Sequence, residues 1–133
     1  MLALLEAFKK KHSEIIDILK EVKEYSILTK EGQAKLMSVK RSLIEHLGEE
    51  DELFYTVLWK EAEQNKKLKE VLKIFAKDLE NISRVVFGFC DRYDKGVLGD
   101  RLLGDFETLF MIIRNRMENE ENILYREYEK LYQ

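Results

Sequence analysis

The chain has 133 residues, 45% of them apolar and 37% charged, enough to bury a core as one globular domain spanning 1–133. Its 23 basic residues are interspersed with 26 acidic ones for a net charge of −3, which excludes the clustered basic face of a nucleic-acid binder. The lack of proline, with only 6 glycines, favours long helices, and the single cysteine, Cys90, fits a reducing, cytoplasmic setting. Met1–Phe8 is apolar, but Lys9–Lys11 follow that run, the reverse of a secretory signal. No stretch of about 18 uninterrupted apolar residues is present, so no membrane span is expected.

In chain order, the first predicted helix runs from Leu2 to Tyr25, with Leu5, Phe8, Ile15, Ile16, Leu19 and Val22 recurring at steps of three and four. Ser26–Thr29 breaks it, and Thr29 is the expected N-cap of a second helix over Lys30–Gln64. That helix carries Leu36, Val39, Leu43, Leu47, Leu53, Phe54, Val57, Leu58 and Ala62 on one stripe, and Gly48 within it suggests a local irregularity. Asn65–Lys67 is a polar corner. A third helix spans Leu68–Tyr93, with Val71, Leu72, Phe75, Leu79, Ile82, Val85, Val86 and Phe89 facing the core. Asp94–Asp100, with Gly96 and Gly99, reads as a loop. The fourth helix covers Leu102–Leu131, with Phe106, Leu109, Phe110, Ile113, Met117, Ile123, Leu124 and Tyr128 inward. Four such helices joined by short corners predict an all-α, antiparallel up-down-up-down four-helix bundle.

The two halves read as a distant repeat. The segment from His46 to Tyr55 aligns with that from Arg116 to Tyr125, setting Glu50 on Glu120 and Tyr55 on Tyr125. Cys90 is expected as a small buried apolar side chain, and Tyr55, Trp59 and Tyr125 as packing groups near the seam. The closing run of Tyr125, Tyr128, Leu131 and Tyr132 is expected to cover an end of the bundle.

The seam itself is interrupted by polar residues. His12 follows Phe8 and precedes Ile15 on the core face of the first helix, and His46 and Glu50 lie one turn apart on that of the second. Glu120 holds a similar place on the fourth, with Arg116 a turn before it. Such groups cost several kcal/mol each when buried unpaired, so a compensating partner is required. One solution is a metal ion bound by the imidazoles and carboxylates, donors that suit iron, manganese or zinc. The other is Arg116, which supplies a fixed positive charge to Glu50 or Glu120 without a metal.

The runs Phe8–Ile16 and Leu43–Leu58, with His12, His46 and Glu50 at their centres, resemble the first half of bacterial hemerythrin-like (HHE cation-binding) domains, and Arg116–Tyr125 resembles their closing segment. The resemblance covers essentially the whole chain. It implies a four-helix bundle with a non-haem iron site, His12, His46 and Glu50 in first-half ligand positions, and Glu120, or else Glu121, as the second-half carboxylate. Departures accompany it: Arg116 stands where a histidine is usual, Asp78 is the one residue near the third-helix position able to ligate, and no histidine follows Leu47.

The expectation is therefore a cation-binding protein with a reduced site of His12, His46, Glu50 and Glu120, suited to sensing or metal handling rather than oxygen transport. Its competitor is a metal-free regulatory bundle, similar in pattern to helical anti-sigma regulators, with Arg116 in place of the metal charge. No nucleophile–base pair or phosphate-cradling glycine loop is present, so no enzyme is expected.

Overall fold

The computed structural model describes residues 2–96 and 101–133, and all regular structure among them is helical. Helix α1 spans Leu2–Tyr25, α2 Lys30–Glu50, α3 Thr56–Ala62, α4 Lys66–Asp94, α5 Leu102–Asn119 and α6 Tyr125–Lys130. Between α2 and α3 the chain stays helical but widens into a π-helical turn at Asp51–Tyr55, and a second such turn at Glu120–Leu124 joins α5 to α6. The result is four long helical rods, as the periodicity predicts. The rest of the expected loop after Gly96, Gly99 included, lies outside the described residues.

The chain divides into two compact units, one of Met1–Val57 with Met117–Gln133 and the other of Leu58–Arg116. In the first, α1 buries Leu5, Phe8, Ile15, Leu19 and Val22, while α2 buries Leu36, Val39 and Leu43. The corner joining them is tightly specified. Ser26 adopts a left-handed φ of 71°, and its carbonyl accepts from Thr29 N–H at 3.1 Å. Thr29 caps α2 as expected, its Oγ1 accepting from Gly32 N–H at 3.1 Å. A Cβ on Gly32 would lie 1.7 Å from the Ser26 carbonyl oxygen, so only glycine permits this approach. Ile27, a corner residue with no periodic signal, is buried too.

In the second unit, Asn65 caps α4 by accepting from Leu68 N–H at 3.1 Å. Leu72, Phe75, Val86 and Phe89 of α4 are buried, as are Phe106, Leu109, Phe110 and Ile113 of α5. Cys90 is buried, consistent with its reading as a small apolar group.

Several stripe assignments need correction. Leu53 and Ile123 are exposed, whereas Phe54 and Leu124 are fully buried. Both exposed residues stand three beyond a buried glutamate and inside a π-helical turn, whose wider ring delays the return to the core by one residue. Val85 and Trp59 also face outward. Tyr128 is buried and Tyr132 exposed, so the closing run only partly covers apolar surface.

Candidate metal centre

Helix α1 contributes His12, α2 contributes His46 and Glu50, and the π-helical turn after α5 contributes Glu120. All are buried, Glu50 completely so, and all belong to the first unit. Phe8 lies edge-on to the His46 ring at 5.5 Å between centroids, and Phe54 packs on Tyr125 at 5.1 Å. These rings give the polar groups an apolar wall.

Three residues converge: one ligating atom each of His12, His46 and Glu50 lies within 4.8 Å of the other two. The two imidazoles are 4.6 Å apart between centroids. Glu120 stands beside this trio, its Oε1 3.9 Å from His12 Nε2. The sequence-derived set is thus brought to one place, with Glu120 adjacent to the group rather than within it.

His12 Nδ1 donates to Glu121 Oε2 at 2.7 Å, because a carboxylate can only accept. That assigns the Nδ1–H tautomer and leaves a lone pair on Nε2. Burial, reinforced by the neighbouring His46, pushes the His12 pKa down to about 3, so the contact is a neutral imidazole bonded to a carboxylate and not an ion pair. Tyr125 Oη lies 2.9 Å from Glu50 Oε2 and 3.3 Å from His12 Nε2, with one proton for two acceptors. The shorter contact to a carboxylate takes it, and His12 Nε2 keeps its lone pair.

His46 is similarly placed. Its Nε2 lies 3.0 Å from Glu50 Oε1, close enough for an ion pair, yet the two lack hydrogen-bond alignment, and Nδ1 meets no protein acceptor. Burial lowers the His46 pKa against the opposing pull of the Glu120 and Glu49 charges, so proximity does not protonate the ring. An imidazole nitrogen and a carboxylate oxygen 3.0 Å apart without an aligned proton are arranged as donors to a shared cation. The residues present therefore fit a metal ion, with two nitrogens and one oxygen as the nearest donors.

Several functional contacts were outside the sequence reading. Glu121, the alternative second-half carboxylate, instead bonds the outer nitrogen of His12 and so fixes the orientation of that ring beside the cluster. Tyr125 and Tyr55, read as packing groups, are hydrogen-bond donors: Tyr125 to Glu50, and Tyr55 to Glu120 Oε2 at 2.5 Å. Burial and the Glu50 charge push the Tyr125 pKa far above its usual value, so the phenol keeps its proton for this bond. The one available signal was the repeated spacing that aligned Glu50 and Tyr55 with Glu120 and Tyr125.

Arg116 belongs to the second unit, where its Nη1 donates to the Phe75 carbonyl at 2.8 Å and to Asp78 Oδ2 at 3.0 Å. Its guanidinium also lies over the Phe75 ring at 4.9 Å. Asp78, the candidate third-helix ligand, commits that oxygen to Arg116.

The described residues thus form a helical protein in which two buried histidines and a buried carboxylate make a possible cation site. Residues 3–128 match the hemerythrin HHE cation binding domain. The chain belongs to that family. No curated protein and no solved structure matches it. Among the described residues no helix is long and apolar enough to cross a membrane.

Proposed function

We propose that this protein binds a metal ion, iron in particular, through His12, His46 and Glu50 with Glu120 alongside, and serves metal handling or sensing rather than catalysis or reversible oxygen transport. The observation that carries this reading is the buried approach of His46 Nε2 to Glu50 Oε1 at 3.0 Å without hydrogen-bond alignment, beside the lone pair of His12 Nε2. Once bound, an ion supplies the positive charge that these donors share, and iron adds a one-electron redox couple. With only 2 histidines in the chain, the site is poorer in nitrogen donors than a histidine-rich oxygen carrier.

The test is elemental analysis of protein purified without a polyhistidine tag, alongside His46→Ala. Stoichiometric metal in the wild type that is lost in the variant supports the reading. Trace metal, equal in both proteins, overturns it in favour of the metal-free regulatory bundle.

A further inference from the structure

We infer that Tyr55 and Tyr125 are positioning residues that restrict the centre to a single metal ion by holding one oxygen of each carboxylate away from it. The inference rests on the cation-binding reading above and deepens it. To bridge two ions, a carboxylate must turn one oxygen toward each. Glu50 gives Oε2 to the Tyr125 hydroxyl at 2.9 Å and presents Oε1 toward His46 Nε2 at 3.0 Å. Glu120 gives Oε2 to the Tyr55 hydroxyl at 2.5 Å, and its Oε1 is the oxygen that approaches His12 Nε2 at 3.9 Å. Each carboxylate therefore commits one oxygen to a phenol and has the other near a histidine nitrogen.

The two clamps are crossed. Each tyrosine stands five residues after one glutamate, across a π-helical turn, and binds the other glutamate, so neither carboxylate can swing without breaking a bond to the other half. Tyr125 is also locked from behind, since its ring stacks on His12 at 17° and 5.7 Å and is fully buried. Tyr55 is half-buried, with Phe54 edge-on at 5.0 Å. Rigid rings on both sides make the clamps features of the core instead of adaptable surface contacts.

The experiment strips the full chain with a chelator and titrates it with Co2+, following visible ligand-field absorption and the metal content of the isolated complex. Wild type is expected to saturate at one cobalt per chain. In Tyr55→Phe/Tyr125→Phe the freed oxygens admit a second equivalent, the first ion binds about 10–100-fold more weakly, and the absorption bands change shape. Tyr55→Phe alone, at the less buried position, is expected to shift the bands, and serves should the double variant fail to fold. A wild type that takes two cobalt ions overturns the inference while leaving cation binding intact. So does an end point that stays at one in the double variant, or bands unmoved in the single one. A wild type that takes no cobalt overturns the cation-binding reading itself, and this inference with it.

Discussion

Tyr125 donates to Glu50 at 2.9 Å while Tyr55 donates to Glu120 at 2.5 Å, so each tyrosine holds the glutamate that lies five residues before the other. That reciprocity matches the likeness between the two halves of the chain. It also coincides with two π-helical turns, Asp51–Tyr55 and Glu120–Leu124. A spacing of five would turn a side chain well away from its partner face in a regular α-helix, whereas the wider turn returns it to the same side. The two irregularities are therefore what let a glutamate and a tyrosine of one rod both face the site.

Removing a bound metal should lower thermal stability, because an ion that binds only the folded state stabilises it by mass action. At a free-ion concentration of about 100 times Kd this amounts to about 2.7 kcal/mol, or a fall in Tm of roughly 10 °C for a chain of this size. Calorimetry with and without a strong chelator checks it, and Tm should recover when the metal is restored. A Tm indifferent to chelator would contradict the metal-binding reading.

Glu121 is expected to act on the metal through His12. Its carboxylate fixes the imidazole by accepting from Nδ1 at 2.7 Å, so Glu121→Ala frees the ring and should weaken metal binding about 10–100-fold. Glu121→Gln keeps an acceptor at the same reach and should lose much less. Competition against a chromogenic chelator measures both. If alanine and glutamine variants weaken binding equally, the hydrogen bond to His12 is not the cause.

The distribution of what was legible in the sequence has a physical basis. His12, His46, Glu50 and Glu120 were found because three- and four-residue spacing places them on apolar stripes, and burial follows from that geometry alone. The π-helical turns leave no such mark, so periodicity places Leu53 and Ile123 inward where the widened backbone turns them out. Tyr55 and Tyr125 looked like packing groups because a phenol on a stripe satisfies the same periodicity as a phenylalanine, and only coordinates show where its hydroxyl ends. The attachment of Arg116 to Asp78 depends on how two helices meet, which no single-helix pattern encodes.

The metal-free protein should lose stability in acid through its histidines. His12 has a folded pKa of about 3 against an ordinary 6.5, and His46 is lowered as well, burial being the leading cause for both. Between those values the unfolded chain binds protons that the folded chain refuses, so unfolding becomes more favourable as pH falls. The contribution is complete above about pH 6.5 and drains away toward pH 3. Urea titrations of chelator-treated protein at pH 8, 6, 5 and 4 should show a midpoint that falls from pH 6 downward, and His12→Gln should flatten that fall. A midpoint constant from pH 8 to 4 would mean that the rings are not held neutral.

Two glycines should respond to alanine with opposite signs. At Gly32 the new methyl would sit 1.7 Å from the Ser26 carbonyl oxygen, a backbone atom in a corner already committed to a left-handed Ser26 and a capping Thr29. The corner must move to admit it, and Gly32→Ala should cost about 1–3 kcal/mol, as overpacking does elsewhere. Gly48 is exposed within α2, and a Cβ there meets nothing within 4 Å. Relief of backbone entropy is then the main effect, so Gly48→Ala should stabilise by up to about 1 kcal/mol. The second result carries more information, because the Gly48 carbonyl accepts from Asp51 N–H at the start of the π-helical turn. If the wide turn depends on a flexible residue at that point, Gly48→Ala will fail to stabilise, and its metal affinity will fall together with its stability. Denaturant unfolding paired with metal titration of the same variant separates these outcomes.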